Sequence, residues 1–430
     1  MATPSTASGS PGASPSPEAV PGGSREDILA DRYDSFLLDL DGVLYRGDQP
    51  VEGAGEAVER LRARQKGLAF VTNNSSRTPA QVAEKLTSVG VPAGPEEVVS
   101  SATATAHLLA EQGGGSAFVI GEAGIREALS DAGLRILDGE PERVDHVVIG
   151  WDRSADYTRL RTAALLVQAG ASLVATNADP SYPAPNGLWP GAGALLAAVT
   201  TTLGRPADIV VGKPNPGLYR AALERAGAGR PLVVGDRVDT DIAGAAALGW
   251  DSLLVLTGVV RPADLLHTFV LPTFLARDLG GLDRPAADVG PASEGDAGQV
   301  EGLLRASGLE VDDVGERLSE TLVARSGGAV VGTAAVELFD DLAHLRSVAV
   351  HRGYRGAHLG TILTARAVAL ARERGARTLY AVTETAERFF VGLGFEAIGT
   401  KAALPAPIAS TPMVAGHCSE SSIALRFSLD

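Results

Sequence analysis

The 430-residue chain contains a single cysteine, Cys418. That excludes an internal disulfide framework and a zinc cluster built from cysteines, and it is compatible with a reducing cytoplasm. No apolar run approaches the length of a membrane span, and none follows a basic amino terminus, so neither a membrane partner nor a secretory signal is expected. Basic residues are also in deficit, 37 Lys and Arg against 52 Asp and Glu, for a formal net charge of −15. Such a charge argues against nucleic acid or an anionic membrane surface as the main partner. Aromatic residues make up only 5% of the chain, whereas hydrophobic residues make up 45%. This balance fits an ample α/β core, and the length suggests two or three domains. Residues 1–24 are almost entirely Ala, Ser, Thr, Pro and Gly, with the first basic residue at Arg25. A disordered tail is therefore expected over 1–30.

What the chain does have is an apolar run that stops at two carboxylates, Phe36-Leu37-Leu38-Asp39-Leu40-Asp41-Gly42. Read alone, it is either a strand delivering acidic groups to a cation or phosphate site, or a strand followed by a solvated Asp-Gly turn. From about residue 34, strand-like and helix-like stretches alternate, which predicts parallel strands with right-handed crossovers. Strands are expected at 68–72, 209–213, 231–236 and 252–256, each of the first three ending in polar residues on the edge where open α/β sheets bind ligands. A second alternating unit, about 80–205, interrupts this series and is placed to act as a cap. Gly, Pro, Ala and Asp dominate 276–299, within which 285–293 is expected to be a linker between a 31–284 unit and a 294–430 unit. In the last unit a hairpin is expected at 318–325 and 330–338, then a strand at 345–350, a helix over 357–374 and a strand at 378–383.

Brought together, Asp39, Asp41 and Asp236 offer hard oxygen ligands for Mg²⁺. Thr72, Asn73 and Lys213 offer a hydroxyl, an amide and a cation to an anionic group. Transfer of a phosphoryl group to a carboxylate requires this mixture, because a bare aspartate repels a phosphate dianion. Each residue also has a plainer reading: Thr72 as strand packing, Lys213 as a solvated loop lysine, Asp241 as a helix N-cap. Their joint occurrence at strand ends favours the site.

Asp39-Leu40-Asp41-Gly42-Val43-Leu44, Thr72-Asn73-Asn74, Gly212-Lys213-Pro214 and Gly235-Asp236-Arg237-Val238-Asp239-Thr240-Asp241-Ile242 resemble the four ordered motifs of haloacid-dehalogenase-superfamily phosphatases. The likeness is to the type IIA, nitrophenylphosphatase-like branch and covers about residues 34–284. It implies a Rossmann-like parallel-sheet core with an α/β cap between the second and third motifs. It implies Asp39 as nucleophile and Asp41 as acid and base. Thr72, Asn73 and Asn74 would hold phosphoryl oxygens, and Lys213 would neutralise charge. Mg²⁺ would be bound by Asp39, the Asp41 carbonyl and Asp236, with Asp241 supporting the shell. Asp179, in Thr176-Asn177-Ala178-Asp179, would face a small phosphorylated metabolite, or it is simply a turn former. A type IIA phosphatase joined to a carboxyl-terminal acetyltransferase-like region, as the 294–430 unit suggests, resembles actinobacterial glycerol 3-phosphate phosphatases, which makes that ester the leading substrate.

Arg355-Gly356-Ala357-His358-Leu359-Gly360, after the strand containing Val348 and Val350, and Phe389-Phe390-Val391-Gly392-Leu393-Gly394-Phe395 resemble a GCN5-related N-acetyltransferase over about 294–430. The ending is similar to the arsenic-resistance type. Acetyl-CoA would then meet Val348, Val350, Arg355, Gly356, Leu359 and Gly360. Two departures stand out: His358 replaces a glycine of the pyrophosphate loop, and Phe390 replaces a proton-donating tyrosine. A non-catalytic unit that regulates the phosphatase or joins it in a homodimer is the alternative.

Overall fold

The computed structural model describes residues 28–184 and 186–429; the expected tail over 1–27 lies outside the described residues. The chain runs β1 (Ser35–Asp39), β2 (Tyr45–Arg46), β3 (Gln49–Pro50), α1 (Ala54–Ala63), β4 (Gly67–Thr72), α2 (Pro79–Ser88), β5 (Val98–Ser100) and α3 (Ser101–Glu111). It continues through β6 (Ser116–Ile120), α4 (Ala123–Asp131), β7 (Arg135–Ile136), β8 (His146–Ile149), α5 (Tyr157–Gln168), β9 (Ser172–Ala175), β10 (Ser181–Ala184), β11 (Gly187–Pro190), α6 (Ala192–Leu203) and β12 (Ile209–Val210). Then come α7 (Pro216–Ala226), β13 (Pro231–Gly235), α8 (Ala243–Ala247), β14 (Asp251–Val255) and β15 (Phe274–Ala276). The last part holds β16 (Asp288–Pro291), α9 (Ala297–Ala306), β17 (Thr321–Ser326), β18 (Ala329–Phe339), β19 (Leu342–Val350), α10 (Leu359–Glu373), β20 (Thr378–Thr383), α11 (Glu387–Gly392), β21 (Glu396–Thr400), α12 (Ala406–Ala409), α13 (Pro412–His417) and β22 (Ile423–Ser428).

The first sheet is parallel with order β15-β14-β13-β1-β4-β5. Its central strands are apolar on both faces, as a sheet covered by helices on both sides requires. A second parallel sheet has order β12-β9-β8-β6-β7, and the hairpin β10–β11 projects from it. The boundary expected near residue 80 therefore shifts. Val98-Val99-Ser100 is buried and pairs with β4, so α2, β5 and α3 belong to the first sheet, and the second begins at β6. At its far end, the expected core strand 209–213 pairs instead with β9, through Ile209↔Val174 and Val210↔Ala175.

The third sheet is mixed, with order β16-β17-β18-β19-β20-β22-β21. Its outermost strand β16, Asp288–Pro291, lies inside the segment 285–293 expected to be a linker. Pro291 is tolerated there because it ends an edge strand. The expected tail boundary at residue 30 shifts as well: Leu29 and Ala30 are buried in the first core, and Ile28 bridges to Pro285. Helix α10 packs on its own sheet and also on β15 and the Pro262–His267 turn. Leu265, Leu266 and Leu275 join Leu363, Val368 and Phe427 in one apolar cluster. Arg366 and Arg372 donate across this junction to the carbonyls of Pro272 and Leu266, at 3.2 and 3.0 Å.

On β19, His344 pairs with Glu337 of β18 and is fully buried. Neither ring nitrogen has a hydrogen-bond partner among the described residues. Burial, helped by the charges of Arg346 and Arg317, pushes its pKa down to about 3. The unfolded chain takes up this proton near the usual value of about 6.5, whereas the folded chain refuses it until about pH 3. Stability therefore falls as pH drops through that window, by about 1.4 kcal/mol per pH unit for this group. His344→Leu should keep or raise the melting temperature at pH 7 and flatten the loss between pH 7 and 5. An unchanged acid slope in scanning calorimetry would assign that loss to other groups.

Candidate active site

The site starts from three neighbouring strand ends. β1 lies between β4 and β13, with Asp39 opposite Val71 and Leu38 opposite Val234. This order sets Asp39, Thr72 and Asp236 side by side at the carboxyl edge. Gly42, at φ +79°, turns the chain just beyond β1. A Cβ there would lie 2.4 Å from Asp236 Oδ2, so only glycine fits. Lys213 arrives from the other sheet, just past the end of β12. Asn73 joins the two. Its Oδ1 accepts the Lys213 backbone N–H at 2.7 Å, and its Nδ2 donates to Asp179 Oδ2 at 3.0 Å. Asn177, from the same polar stretch as Asp179, adds a bond from its Nδ2 to the Asn73 carbonyl at 2.7 Å.

The Lys213 ammonium is buried and donates to Asp39 Oδ1 at 2.5 Å and Asp241 Oδ1 at 2.8 Å. Carboxylate oxygens of Asp39, Asp236 and Asp241 all lie within 4.8 Å of one another. Burial raises the Asp39 pKa well above the carboxylate range; Asp241 and Asp236 add to the rise, and Lys213 opposes it. Asp236 is pushed up to about 6 by burial and by Asp241, although its Oδ2 accepts the Val259 N–H at 3.0 Å. Burial works against the Lys213 charge, but Asp241 and Asp39 outweigh it and hold its pKa above the usual lysine value. Three carboxylates face one ammonium, and hard oxygen donors with excess negative charge suit a divalent cation.

Asp41 stands apart. Its carboxylate is not in that group of three, so of the expected metal contacts only its backbone carbonyl is open to it. Burial pushes its pKa up to about 6, opposed by Lys85, Arg77 and Lys213. A carboxyl group titrating near neutrality can both give and take a proton. Asp241 is not the N-cap of α8. It lies in the wide turn Val238–Ile242, and its Oδ2 accepts the Arg237 N–H at 3.2 Å.

A cavity of about 320 Å³ opens over these groups, lined by Asp39, Asp41, Thr72, Asn73, Asn74, Asp179, Lys213 and Asp236. Asp241 lies beneath it. Thr72 Oγ1 accepts the Asn74 N–H at 3.1 Å, and the Asn74 side chain is engaged by Ser76 N–H and Oγ at 2.9 and 2.7 Å. Thr72 and Asn74 thus shape the loop as well as the wall. Trp151, Tyr182, Arg46 and Val259 also line it without having been anticipated, as does Arg237. Trp151 had one signal, its place two residues after the end of β8, with Gly150 between.

In the third sheet, the parallel pairing of β19 with β20 ends at Leu345↔Ala381, while β19 runs on to Val350. Val348 and Val350 lie on this stretch, which pairs with β18 but not with β20, and Val348 follows Ser347 at φ +55°. Arg355 Nε donates to the Val350 carbonyl at 3.0 Å, and Gly356 turns the chain at φ +75°. His358 takes the left-handed conformation at φ +58° directly before Leu359 opens α10, a posture costly for a side-chain-bearing residue. A Cβ on Gly360 would touch the Phe389 ring at 3.4 Å. Phe390 is buried between Phe389 and Phe395, with ring centroids 5.1 and 5.3 Å away. Cys418 is half-buried, which raises its thiol pKa.

Comparison with known proteins follows the same division. Residues 36–135 match the haloacid dehalogenase-like hydrolase family, 210–282 an HAD-hydrolase-like family, and 300–395 the acetyltransferase (GNAT) family. An acid sugar phosphatase of Staphylococcus aureus is 41% identical over 251 residues, which is 58% of this chain and 96% of that protein. The structure of a glycerol phosphate phosphatase from Mycobacterium tuberculosis in complex with magnesium is 32% identical. It covers 85% of this chain and 98% of its own, with a TM-score of 0.65. The p-nitrophenyl phosphatase from Archaeoglobus fulgidus is 33% identical over 58% of this chain and 97% of its own, with a TM-score of 0.55.

Removing Lys213 leaves buried carboxylates without their counter-charge. Lys213→Met should cost about 3–5 kcal/mol of unfolding free energy in chelator-treated buffer, the usual cost of breaking a buried pair. Urea unfolding followed by circular dichroism measures this; a loss below about 1 kcal/mol, as for an exposed pair, would show that the ammonium is not what stabilises the cluster.

Proposed function

The chain belongs to the haloacid dehalogenase-like hydrolases, joined to a GNAT-family acetyltransferase domain, and from that premise we propose that it hydrolyses a small phosphomonoester through a phosphoaspartate. It is a phosphoric monoester hydrolase. The observation that carries the mechanism is the cluster of Asp39, Asp236 and Asp241 around Lys213. A carboxylate of Asp39 forms a bond to phosphorus as the bond from phosphorus to the ester oxygen breaks. Asp41 gives its proton to the departing alkoxide. Asp41 then takes a proton from water as that water attacks the phosphoaspartate, and phosphate leaves with Asp39 restored. Lys213, with donors from Thr72 and Asn73, holds and neutralises the phosphoryl oxygens.

Asp39, Asp236 and Asp241, with the Asp41 carbonyl, would hold Mg²⁺. Their all-oxygen, anionic donor set fits that ion, and its relative in Mycobacterium tuberculosis was solved with magnesium. When bound, the ion supplies charge neutralisation at the transferring group. Glycerol 3-phosphate is the proposed substrate, supported by a glycerol phosphate phosphatase that is similar over 85% of this chain. Asp179, which lines the cavity and is held by Asn73, offers an acceptor to a substrate hydroxyl. A cytoplasmic location accords with one half-buried thiol as the only cysteine.

A second reading rests on the end of β19–β20 pairing at Leu345, short of Val350 and the turn that holds Arg355, Gly356, Leu359 and Gly360, where acetyl-CoA would bind. Isothermal titration of the whole chain with acetyl-CoA should give a saturable heat; its absence would leave this domain as a non-catalytic partner of the phosphatase. For the phosphatase, Asp39→Asn should abolish phosphate release with an unchanged melting curve. EDTA should silence the wild type and Mg²⁺ restore it. Retained turnover in a folded Asp39→Asn variant would sink the phosphoaspartate route, and a flat profile across small phosphomonoesters would sink the choice of glycerol 3-phosphate.

A further inference from the structure

The active-site cavity, about 320 Å³, is near the small end of ligand pockets, which span roughly 300–1,000 Å³. Part of its wall is made of the polar strand ends. Another part is aromatic and comes from the second sheet. Tyr182 on β10 stacks on Trp151, with ring centroids 4.2 Å apart and planes at 28°. Both rings line the same cavity as Asp39 and Asp41.

Trp151 cannot yield. Its backbone N–H donates to Ser75 Oγ at 3.2 Å and its indole N–H to the Pro190 carbonyl at 3.1 Å. These bonds tie it to the loop after β4 and to the end of β11. The Arg153 guanidinium covers the ring at 5.3 Å and is itself held by Glu122 at 2.8 and 2.7 Å. Ser75 is fully buried and also receives the Thr176 hydroxyl at 3.1 Å. Gly150, just before Trp151, sits so close that a Cβ would lie 2.6 Å from Ser75 Oγ. A wall anchored on both sheets moves little, and a close-packed wall excludes by size.

Resting on the phosphatase reading above, we propose that Tyr182 sets the size of the leaving group this site accepts, with Trp151 as the positioning residue beneath it. A three-carbon polyol ester fits beneath the ring; a six-carbon sugar ester meets it. The hydroxyl of Tyr182 is not needed for this, only the ring.

The test measures kcat and KM for glycerol 3-phosphate and glucose 6-phosphate, with Mg²⁺, on the full chain as wild type, Tyr182→Ala, Tyr182→Phe and Trp151→Leu. The ratio of kcat/KM, six-carbon over three-carbon, should rise about tenfold or more in Tyr182→Ala and Trp151→Leu, chiefly through KM for the larger ester. In Tyr182→Phe it should stay within about twofold. Reading both esters on one preparation cancels any misfolded fraction from the ratio. A ratio unmoved in Tyr182→Ala overturns the size filter and leaves the phosphatase reading standing. A wild type that hydrolyses neither ester overturns the choice of a three-carbon polyol ester, and the filter with it.

Discussion

One ammonium group holds the catalytic half of this molecule in register. Lys213 extends from the second sheet into the first, where its Nζ lies between a carboxylate at the end of β1 and another in the turn after β13. At an effective dielectric near 20, unit charges about 4 Å apart attract by about 4 kcal/mol, while removing each from water costs several. The contact is therefore sustained only where both terms are satisfied, at one relative placement of the sheets. Asn73 fixes the same placement with neutral bonds, and Gly212 allows it, since a Cβ there would lie 2.5 Å from Asn73 Oδ1. Catalytic geometry and cap position are thus a single constraint.

That constraint explains what was legible in the sequence. Asp39, Thr72 and Asp236 each end an apolar run, and a short buried strand finishing in a polar residue has few other uses at a sheet edge. The order of elements gave parallel pairing without further information. Lys213 looked the same locally, yet its strand belongs to another sheet; two residues of strand carry too little pattern to say which neighbour they pair with. β5 escaped for a similar reason, because Val98-Val99-Ser100 is too short to distinguish from the unit that follows. Tyr182 and Trp151 were invisible because their roles depend on a stack between residues 31 apart in sequence, whereas carboxylates at strand ends declare themselves locally. Residues 285–293, rich in Pro, Ala and Gly, have a linker's composition, but β16 is an edge strand, where proline costs little.

The third sheet shows a family pattern under local stress. His358 occupies a left-handed position that glycine would take freely. Phe390 is packed among other phenylalanines, so it contributes to the apolar core and has no proton to give. These departures sit in the turn and helix that flank the opening between β19 and β20, while the strands themselves retain their pairing up to Leu345.

Helix α10 serves two cores at once, and this alters what the peptide between the two halves is for. Two free proteins meeting through such a face would surrender roughly 4–15 kcal/mol of translational and rotational freedom. Here covalent continuity through β16 removes most of that term, so a modest face suffices: Ile242, Leu254, Leu265, Leu266 and Leu275, one helix side and two arginine-to-carbonyl bonds. The connecting segment acts as a very high local concentration of each half for the other.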